Sequence, residues 1–446
     1  MRLTLGLALM GLLLAGCTTE TATTTTTPPV QPLPLVEAMN FTTFDLPAIH
    51  QGHGLYEPTI DVSPSGVLYV SAHTTGVDAG GAPAYYSKDD GKTWITLPVA
   101  ASGSVPSSSQ QGTPPPSDEI FIVAGNDGTA WGVDVTLASY PVHGWCNNGA
   151  DKCYYNPNGY DRAAALMAPC STASLNDRPW AAYANGTLLM VNNPGGGPVQ
   201  VAAMKVPPAQ PASLTTPATG PTWNTCAGNG NGGIPGIPGM RNDLFFAVPQ
   251  LQGDSMVVVT GHATNVMAVE QHTVLKFDST AASSVMDSGQ VTFDKAGTMY
   301  VAAFNNNETS GGALELAHST DDGRNFTVDR FVFPKPVGAL YIDGNLRGPG
   351  ALVYWGLVDG TKADYYFGHA FVENGHVVLK DVNLATKAGP EPSRHVQGAA
   401  LGPDGRAYMI MSDVSGNDDQ AMVLAAGSMP LHVVVQTSGP RMPIDP

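Results

Sequence analysis

The sequence predicts an all-β fold, a β-propeller of four-stranded blades in which seven blades are favoured and six are the alternative. The first observation is composition: 51 Gly, 37 Pro and only 13% charged residues among 446 are typical of a turn-rich chain rather than a helical bundle. The second is a repeated hairpin, and the third is that strand-like runs such as 84–87 and 95–99 follow the hairpins. Each repeat therefore holds about four strands, the usual content of a blade.

The repeated hairpin consists of two β-rich runs separated by a turn that contains Gly, Asn or Asp. Copies recur at intervals of roughly 45 to 70 residues, as blades do. They begin at Glu57, Asp118, Asn176, Asp243, Asp287, Ala339 and Arg394. Because one blade cannot bury both faces of its sheet, the repeats predict a single closed ring over 40–446. The unit at Ala339 is irregular, and 42–46 would complete another blade's outer edge, which keeps six blades as the alternative.

The N-terminus has the pattern of an export signal. Arg2 precedes an apolar run over 3–14 that is too short to span a bilayer. The following Leu-Ala-Gly-Cys resembles the lipobox of prokaryotic lipoproteins, which implies that Cys17 carries the lipid and that 1–17 is the signal region; an ordinary signal peptide is the alternative. Residues 18–39 are rich in Thr and Pro and are expected to form an extended tether. We therefore expect an extracytoplasmic protein, lipid-anchored at the cell surface or periplasmic face, in a bacterial or an archaeal host.

Four further cysteines predict two disulfides, since an even number is typical of exported proteins. They are Cys146, Cys153, Cys170 and Cys226. The preferred pairing joins Cys146 to Cys153 and Cys170 to Cys226, but spacing does not decide among the pairings. A zinc site is the competing interpretation, and it lacks the close C-x-x-C spacing that zinc geometry favours.

The charge balance is strongly acidic, with 20 basic against 37 acidic residues and a formal charge of -17. Such a charge repels phosphate backbones, so nucleic acid is not an expected partner. It also repels anionic headgroups, so the lipid on Cys17 is the expected attachment to a membrane. Three long loops, at 102–117, 139–175 and 207–240, are expected to present a recognition surface. We expect a monomer.

Two octapeptides, SKDDGKTW at 87–94 and STDDGRNF at 319–326, resemble the Asp-box of sialidases, sortilin-type receptors and related propellers. The second copy has Asn and Phe in place of the motif's Thr and Trp. The positions expected to have structural roles in the two boxes are Ser87, Asp89, Gly91, Trp94, Ser319, Asp321, Gly323 and Phe326. The Asp is expected to accept turn N–H groups, and the Gly to take a positive φ. The resemblance implies that each box lies between the two outer strands of a blade, as a structural element away from the ligand.

In these related propellers, ligands bind where the inner strands begin. When the hairpins are aligned on their turn glycines, Glu57, Glu119 and Asp177 each lie nine residues before the glycine, and Asp243 lies ten before Gly253. Charged residues beside these positions or at a similar distance extend the pattern. The predicted rim is therefore Glu57, Glu119, Asp177, Arg178, Asp243, Arg394 and His395, with Arg241 adjoining.

Three interpretations of this rim stay open. The first is a solvated, partly salt-bridged edge. The second is a Ca²⁺ site formed by Glu57, Glu119 and Asp177, since Ca²⁺ prefers several carboxylate oxygens, although no EF-hand-like loop supports it. The third is a ligand-binding or catalytic site that uses both signs of charge.

The family resemblance raises exo-sialidase chemistry, which needs three arginines on the substrate carboxylate, an acid, and a Tyr activated by a Glu. The candidate catalytic residues are Tyr56, Glu57, Asp177, Arg178, Arg241 and Arg394. However, the family's F-R-I-P segment before the first inner strand is replaced by Leu55-Tyr56-Glu57-Pro58, which has no arginine. A non-catalytic binding or scaffolding module for a glycan or protein ligand is therefore favoured, and a sialidase-like glycoside hydrolase acting on acidic sugars is the alternative.

Overall fold

A computed structural model describes fifteen segments of the chain. They are 39–46, 55–74, 84–97, 119–125, 129–135, 142–146, 177–193, 198–205, 227–232, 234–277, 289–307, 311–360, 362–390, 398–412 and 431–445. The regular elements in these segments are β-strands. Within the same segments, no helix is long and apolar enough to cross a membrane.

The described strands form seven antiparallel sheets, which are the blades of a propeller. Blade 1 contains β2 (Leu55–Val62), β3 (Leu68–Thr74), β4 (Ala84–Ser87) and β5 (Ile95–Thr96); blade 2 contains β6 (Glu119–Ala124), β7 (Thr129–Val135) and β8 (Val142–Cys146). Blade 3 contains β9 (Asp177–Ala184), β10 (Thr187–Asn193), β11 (Pro198–Lys205) and β12 (Ala227–Gly232); blade 4 contains β13 (Ile234–Pro235), β14 (Gly239–Met240), β15 (Phe245–Gln252), β16 (Ser255–His262) and β17 (Asn265–Lys276).

Blades 5 to 7 complete the ring. Blade 5 contains β18 (Gln290–Phe293), β19 (Met299–Asn307), β20 (Gly311–Ser319) and β21 (Thr327–Phe333); blade 6 contains β22 (Val337–Gly344), β23 (Ala351–Asp359), β24 (Lys362–Glu373) and β25 (His376–Pro390). Blade 7 contains β26 (Ala399–Leu401), β27 (Ala407–Ser412), β28 (Leu431–Ser438) and β1 (Asn40–Asp45). Six of the seven sheets have four or more strands, and blade 2 has three in the described residues, so the all-β propeller prediction and the favoured blade number are confirmed.

The ring is closed by β1, which pairs antiparallel with β28 from Asn40 opposite Ser438 to Asp45 opposite His432. Each blade packs on the next through apolar side chains shared by both. For example, Phe121 of blade 2 meets Trp180 of blade 3 edge-to-face, with 5.4 Å between ring centroids. This sharing is the reason a single blade cannot stand alone and the repeats fold as one ring.

Blade 4 differs from the sequence prediction. The predicted hairpin at Asp243 consists of the second and third strands, β15 and β16, whereas the inner strand is the broken pair β13 and β14, within the predicted loop 207–240. The sequence Ile-Pro-Gly-Ile-Pro-Gly over 234–239 reads as a loop because Pro and Gly are rare inside strands. Here the glycines are required by the close approach of blade 5: a Cβ on Gly236 would lie 1.8 Å from the carbonyl oxygen of Gly289.

Both Asp-box turns connect the third and fourth strands of their blades, β4 to β5 and β20 to β21, as the resemblance implied. The carboxylate of Asp89 accepts bonds from the Thr93 N–H at 2.8 Å and the Thr93 hydroxyl at 2.7 Å. Gly91 has φ of 84° and Gly323 has φ of 85°, the conformation that favours glycine. Trp94 and Phe326 pack against apolar clusters of the ring.

The second box keeps the same bonds despite its altered sequence. Asn325 donates to Asp321 from its backbone N–H at 3.0 Å and from its side-chain amide at 2.6 Å, in place of the Thr hydroxyl. The side-chain bond from Asn325 is the main cause that lowers the pKa of Asp321 to about 2. Asn at this position is therefore an equivalent donor rather than a defect in the motif.

We expect Asn325→Ala to lower the free energy of unfolding by about 1 kcal/mol, because one side-chain hydrogen bond to a carboxylate is lost. Asn325→Thr, which restores the motif's residue, should change it by less than about 0.5 kcal/mol. Since the folded pKa of Asp321 is depressed, the loss in the Ala variant should be seen at neutral pH and should fade as pH falls from about 4 towards 2. Urea unfolding of both variants measures this, and equal losses in Ala and Thr would contradict the proposed donor role.

The central channel as the candidate functional site

The inner strands of the seven blades surround a central cavity of about 170 Å³. Neighbouring inner strands run in the same direction, as shown by the parallel bridge between Ile237 and Gln290. All inner strands therefore begin at one end of the channel, the entrance, and finish at the other, the exit. One residue from each blade illustrates the lining: Asp61, Val123, Ala182, Pro238, Thr292, Asp343 and Leu401. These residues belong to the exit halves of the inner strands.

Two carboxyl groups dominate the polar lining, and both join neighbouring blades. Asp61 on β2 accepts the Val62 N–H at 2.7 Å and, across to blade 2, the Ala124 N–H at 2.7 Å. Asp343 on β22 accepts the Leu401 N–H of blade 7 at 2.7 Å. Each acid thus satisfies a backbone donor that has no sheet partner on the channel side.

Neutral side chains do the same elsewhere in the ring. Thr292 of blade 5 accepts the Gly344 N–H of blade 6 at 2.7 Å. Gln290 bridges the same two blades, donating to the Leu340 carbonyl at 2.7 Å and accepting the Ile342 N–H at 2.8 Å. Polar side chains of the channel wall therefore connect neighbouring blades, because each of them hydrogen-bonds to the backbone of the blade that follows its own.

Burial changes the acidity of these groups. Loss of hydration raises the pKa of Asp61 to about 6, although the two backbone bonds oppose the shift. Burial, together with the nearby charge of Asp61, raises the pKa of Asp343 to about 8. Tyr341 lies near both acids, and burial raises its pKa well above the ordinary value, so its phenol stays neutral. The raised pKa favours the protonated form of Asp343.

Arg347 spans the exit end of the cavity. Its guanidinium donates to the carbonyl oxygens of Pro403 in blade 7 at 3.1 Å and Pro64 in blade 1 at 3.4 Å. The segment after β28 adds to this closure, because the Asn345 side chain donates to Pro443 at 2.6 Å and the Asp445 N–H donates to Arg347 at 2.9 Å. The groups at the exit are therefore held in hydrogen bonds to backbone atoms of blades 1 and 7 and of the segment after β28.

Three of the predicted rim positions lie at the same end of the channel. Glu57, Glu119 and Asp177 lie at the entrance ends of β2, β6 and β9, on three adjacent blades. Their side chains, with those of Tyr56 and Arg178, lie outside the described part of the structure. Backbone positions alone therefore support an acidic entrance across blades 1 to 3.

Arg241 and Asp243 lie elsewhere. Because β15 is the second strand of blade 4, both residues fall in the turn after the inner strand, at the exit side rather than at the entrance. Arg241 is held in ion pairs with Asp243 at 2.8 Å and with Asp322 of the second Asp-box at 2.7 Å, and it covers the ring of Phe245 at 4.5 Å. The rim assignment of this pair is corrected accordingly.

Arg406 reproduces the arrangement of Arg241 at the junction of blades 7 and 1. Its guanidinium pairs with Asp90 of the first Asp-box at 2.7 Å and with Asp404 at 3.2 Å. Each Asp-box thus receives an arginine from the exit turn of the preceding blade. Arg241 is therefore a link between blades and not a free guanidinium for a substrate carboxylate.

Several predicted residues lie outside the described residues: Cys17, Cys153, Cys170, Cys226, Arg394 and His395. Cys146 ends β8, with its side chain outside the description as well. Among the described residues, no group of three or more His, Cys, Asp or Glu side chains is arranged to hold a metal ion. The Ca²⁺ and disulfide predictions stay predictions.

Sequence alignment could have found the channel acids. Asp61, Thr292 and Asp343 each lie five residues before a glycine of the exit turn, Gly66, Gly297 and Gly348. The same offset is apolar in other hairpins, with Val123 and Ala181 as examples. The rim alignment compared the residues nine positions before the turn glycines, so it did not detect the polar residues five positions before them.

No family model matches the chain, and no curated protein matches its sequence. Among solved structures it is similar to a protein of unknown function from Dyadobacter fermentans, with 11% identity, a TM-score of 0.48, and coverage of 91% of this chain and 100% of that one. It is also similar to the endosialidase of phage phi92 (11% identity, TM-score 0.46, 91% and 70% covered). A third is the Hadza microbial sialidase Hz136 (13% identity, TM-score 0.42, 86% and 66% covered). At these identities and TM-scores the likenesses carry no argument about this chain, and the propeller is shown by its own sheet topology.

Proposed function

We propose that this chain is a non-catalytic binding or scaffolding propeller, held outside the cell membrane by a lipid on Cys17, whose channel entrance receives a glycan or protein ligand. The observation that carries the proposal is the placement of Glu57, Glu119 and Asp177 at the entrance ends of three adjacent inner strands. An entrance of this charge, on a chain of formal charge -17, attracts basic groups, repels a sugar carboxylate and leaves neutral sugars, which carbonyl and carboxylate oxygens can hydrogen-bond, unopposed. The ligand is therefore a neutral glycan or a basic protein segment.

The described contacts favour binding over sialidase chemistry. Arg241, one of three arginines required for a carboxylate clamp, is engaged by two aspartates at the exit side. The channel acids Asp61 and Asp343 are engaged by backbone N–H groups of the next blade. Neither set is left to position or protonate a substrate, which supports a recognition role for the entrance.

The test uses a soluble form that begins at Leu35, screened against neutral glycans, sialyl-glycans and basic peptides by thermal melting, with and without Ca²⁺. A ligand that binds the folded state raises the melting temperature. We expect a neutral glycan or basic peptide to do so, and Glu57→Gln or Asp177→Asn to weaken its binding about tenfold, as the loss of one charge-assisted hydrogen bond predicts. A chelator-sensitive shift that Glu57→Gln abolishes would add Ca²⁺ as a cofactor of the entrance.

Glu373→Gln is the matched control, because Glu373 is an exposed acid that ends β24 next to the exit-side turn, where its side chain pairs with Lys380. It should leave binding unchanged. Release of sialic acid from a sialyl-glycan, abolished by Asp177→Asn, would replace the binding proposal with the exo-sialidase-like alternative.

A further inference from the structure

The channel cavity places two acids on opposite sides of the ring closure. Asp61 is the polar link from blade 1 to blade 2, and Asp343 is the link from blade 6 to blade 7. Between them lie blades 7 and 1, which the terminal strand β1 and the Arg406–Asp90 pair hold together. The two acids therefore flank the part of the ring where the chain's ends meet.

Both acids face the same small space. Asp61 and Asp343 are both partly exposed, and both line the cavity of about 170 Å³. The other ionisable groups that line it are Tyr183 on β9, Tyr341 beside Asp343 on β22, and Arg347 in the following turn. Arg347 donates to the Pro64 and Pro403 carbonyls and keeps its positive charge, and burial raises the pKa of Tyr341 well above its ordinary value. Arg347 is therefore the one cation among the described lining residues, and its guanidinium is held at the exit by those two carbonyls.

We propose that the channel contains a pH-sensitive joint: Asp61 and Asp343 hold blades 1, 2, 6 and 7 around the cavity while they carry protons, and their ionisation loosens the ring beside its closure. The physical basis is that two negative charges in one poorly hydrated space repel each other and lose hydration. Opening the joint relieves both costs, because it exposes the carboxylates to water. This device is independent of what the entrance binds.

Linkage gives the sign of the effect. Because the pKa values of Asp61 and Asp343 are raised to about 6 and about 8 from the model-peptide value of 3.8, the closed joint binds protons that the open joint releases. The free energy of opening is therefore greatest below about pH 4 and falls as pH rises, until each folded pKa is passed. One such proton changes the opening equilibrium about tenfold per pH unit within its window.

The experiment is amide hydrogen exchange of the full-length protein at several pH values, corrected for the intrinsic exchange rate. The reporting amides are those of Leu401 and Ala124, which bond directly to the two acids. We expect protection of the Leu401 amide to fall about a hundredfold from pH 5 to pH 7. The Gly323 amide of blade 5, which bonds the non-titrating Ser319 hydroxyl at 3.0 Å, is the internal reference and should change far less.

Asp343→Asn and Asp61→Asn are the deciding variants, since Asn keeps an acceptor oxygen but cannot ionise. In the double variant, protection at Leu401 should vary less than about threefold over the same range. A hundredfold fall that persists in the double variant would overturn the proposal. Should a variant fail to fold, the unmodified protein still decides, because constant protection at Leu401 from pH 5 to pH 7 would equally overturn it.

Discussion

Gly344→Ala should lower the free energy of unfolding by about 3 kcal/mol or more, as overpacking against immovable backbone does. Gly344 ends the inner strand β22, where blade 6 lies directly on blade 5. A Cβ at this position would stand 2.0 Å from the carbonyl oxygen of Phe293 and 2.5 Å from the Thr292 hydroxyl. Since neither neighbour is the free end of a flexible side chain, the blades must separate. Denaturant unfolding followed by tryptophan fluorescence measures the loss.

Thr292→Val and Thr292→Ser separate the clash from the hydrogen bond at the same junction. Val removes the acceptor of the buried Gly344 N–H, which should cost about 1 to 3 kcal/mol, whereas Ser keeps the hydroxyl and should cost less. A Gly344→Ala variant as stable as Thr292→Ser would show that the blades do not approach as closely as the structure has them.

The fold was predictable because its repeat is local. Strand, glycine turn and strand recur in the chain, and stacking is the means by which such units bury both faces. Blade 4 was misread for an equally local reason, since the Pro and Gly residues of 234–239 resemble a loop in isolation. What places them in a strand is the carbonyl of Gly289 in the next blade, a neighbour that sequence spacing does not reveal.

The candidate site was less predictable than the fold. Alignment predicted that Glu57, Glu119 and Asp177 share one end of the channel, and the strand bounds put their backbone positions near the starts of β2, β6 and β9. It could not show that Arg241 and Asp243 sit at the other end, because that depends on which strand of blade 4 is innermost. Alignment also could not show that Asp61 and Asp343 connect neighbouring blades. Their partners are backbone N–H groups, which nearly every residue has, so the sequence does not mark them.

Trp355→Ala should be the most destabilising single change considered, with an expected loss of about 3 to 5 kcal/mol. Trp355 lies on β23 of blade 6 and is fully buried. Its ring stacks on Tyr366 at 5.7 Å between centroids and meets Phe333 of blade 5 at 6.0 Å. Truncation therefore leaves a cavity on both sides of one blade junction, which the surrounding strands cannot fill without breaking their ladders.

Trp355→Phe is the informative partner of this variant. Among the described residues, the buried indole N–H of Trp355 has no hydrogen-bond partner, and an unsatisfied buried donor costs about 1 to 3 kcal/mol. Phe keeps the aromatic contact with Phe333 and removes that unsatisfied donor, so the two effects partly offset and the net loss should stay below about 2 kcal/mol. The same unfolding assay measures both variants. Equal losses for Phe and Ala would mean that the indole N–H has a hydrogen-bond partner. The stability of the junction between blades 5 and 6 would then depend on that hydrogen bond rather than on packing volume.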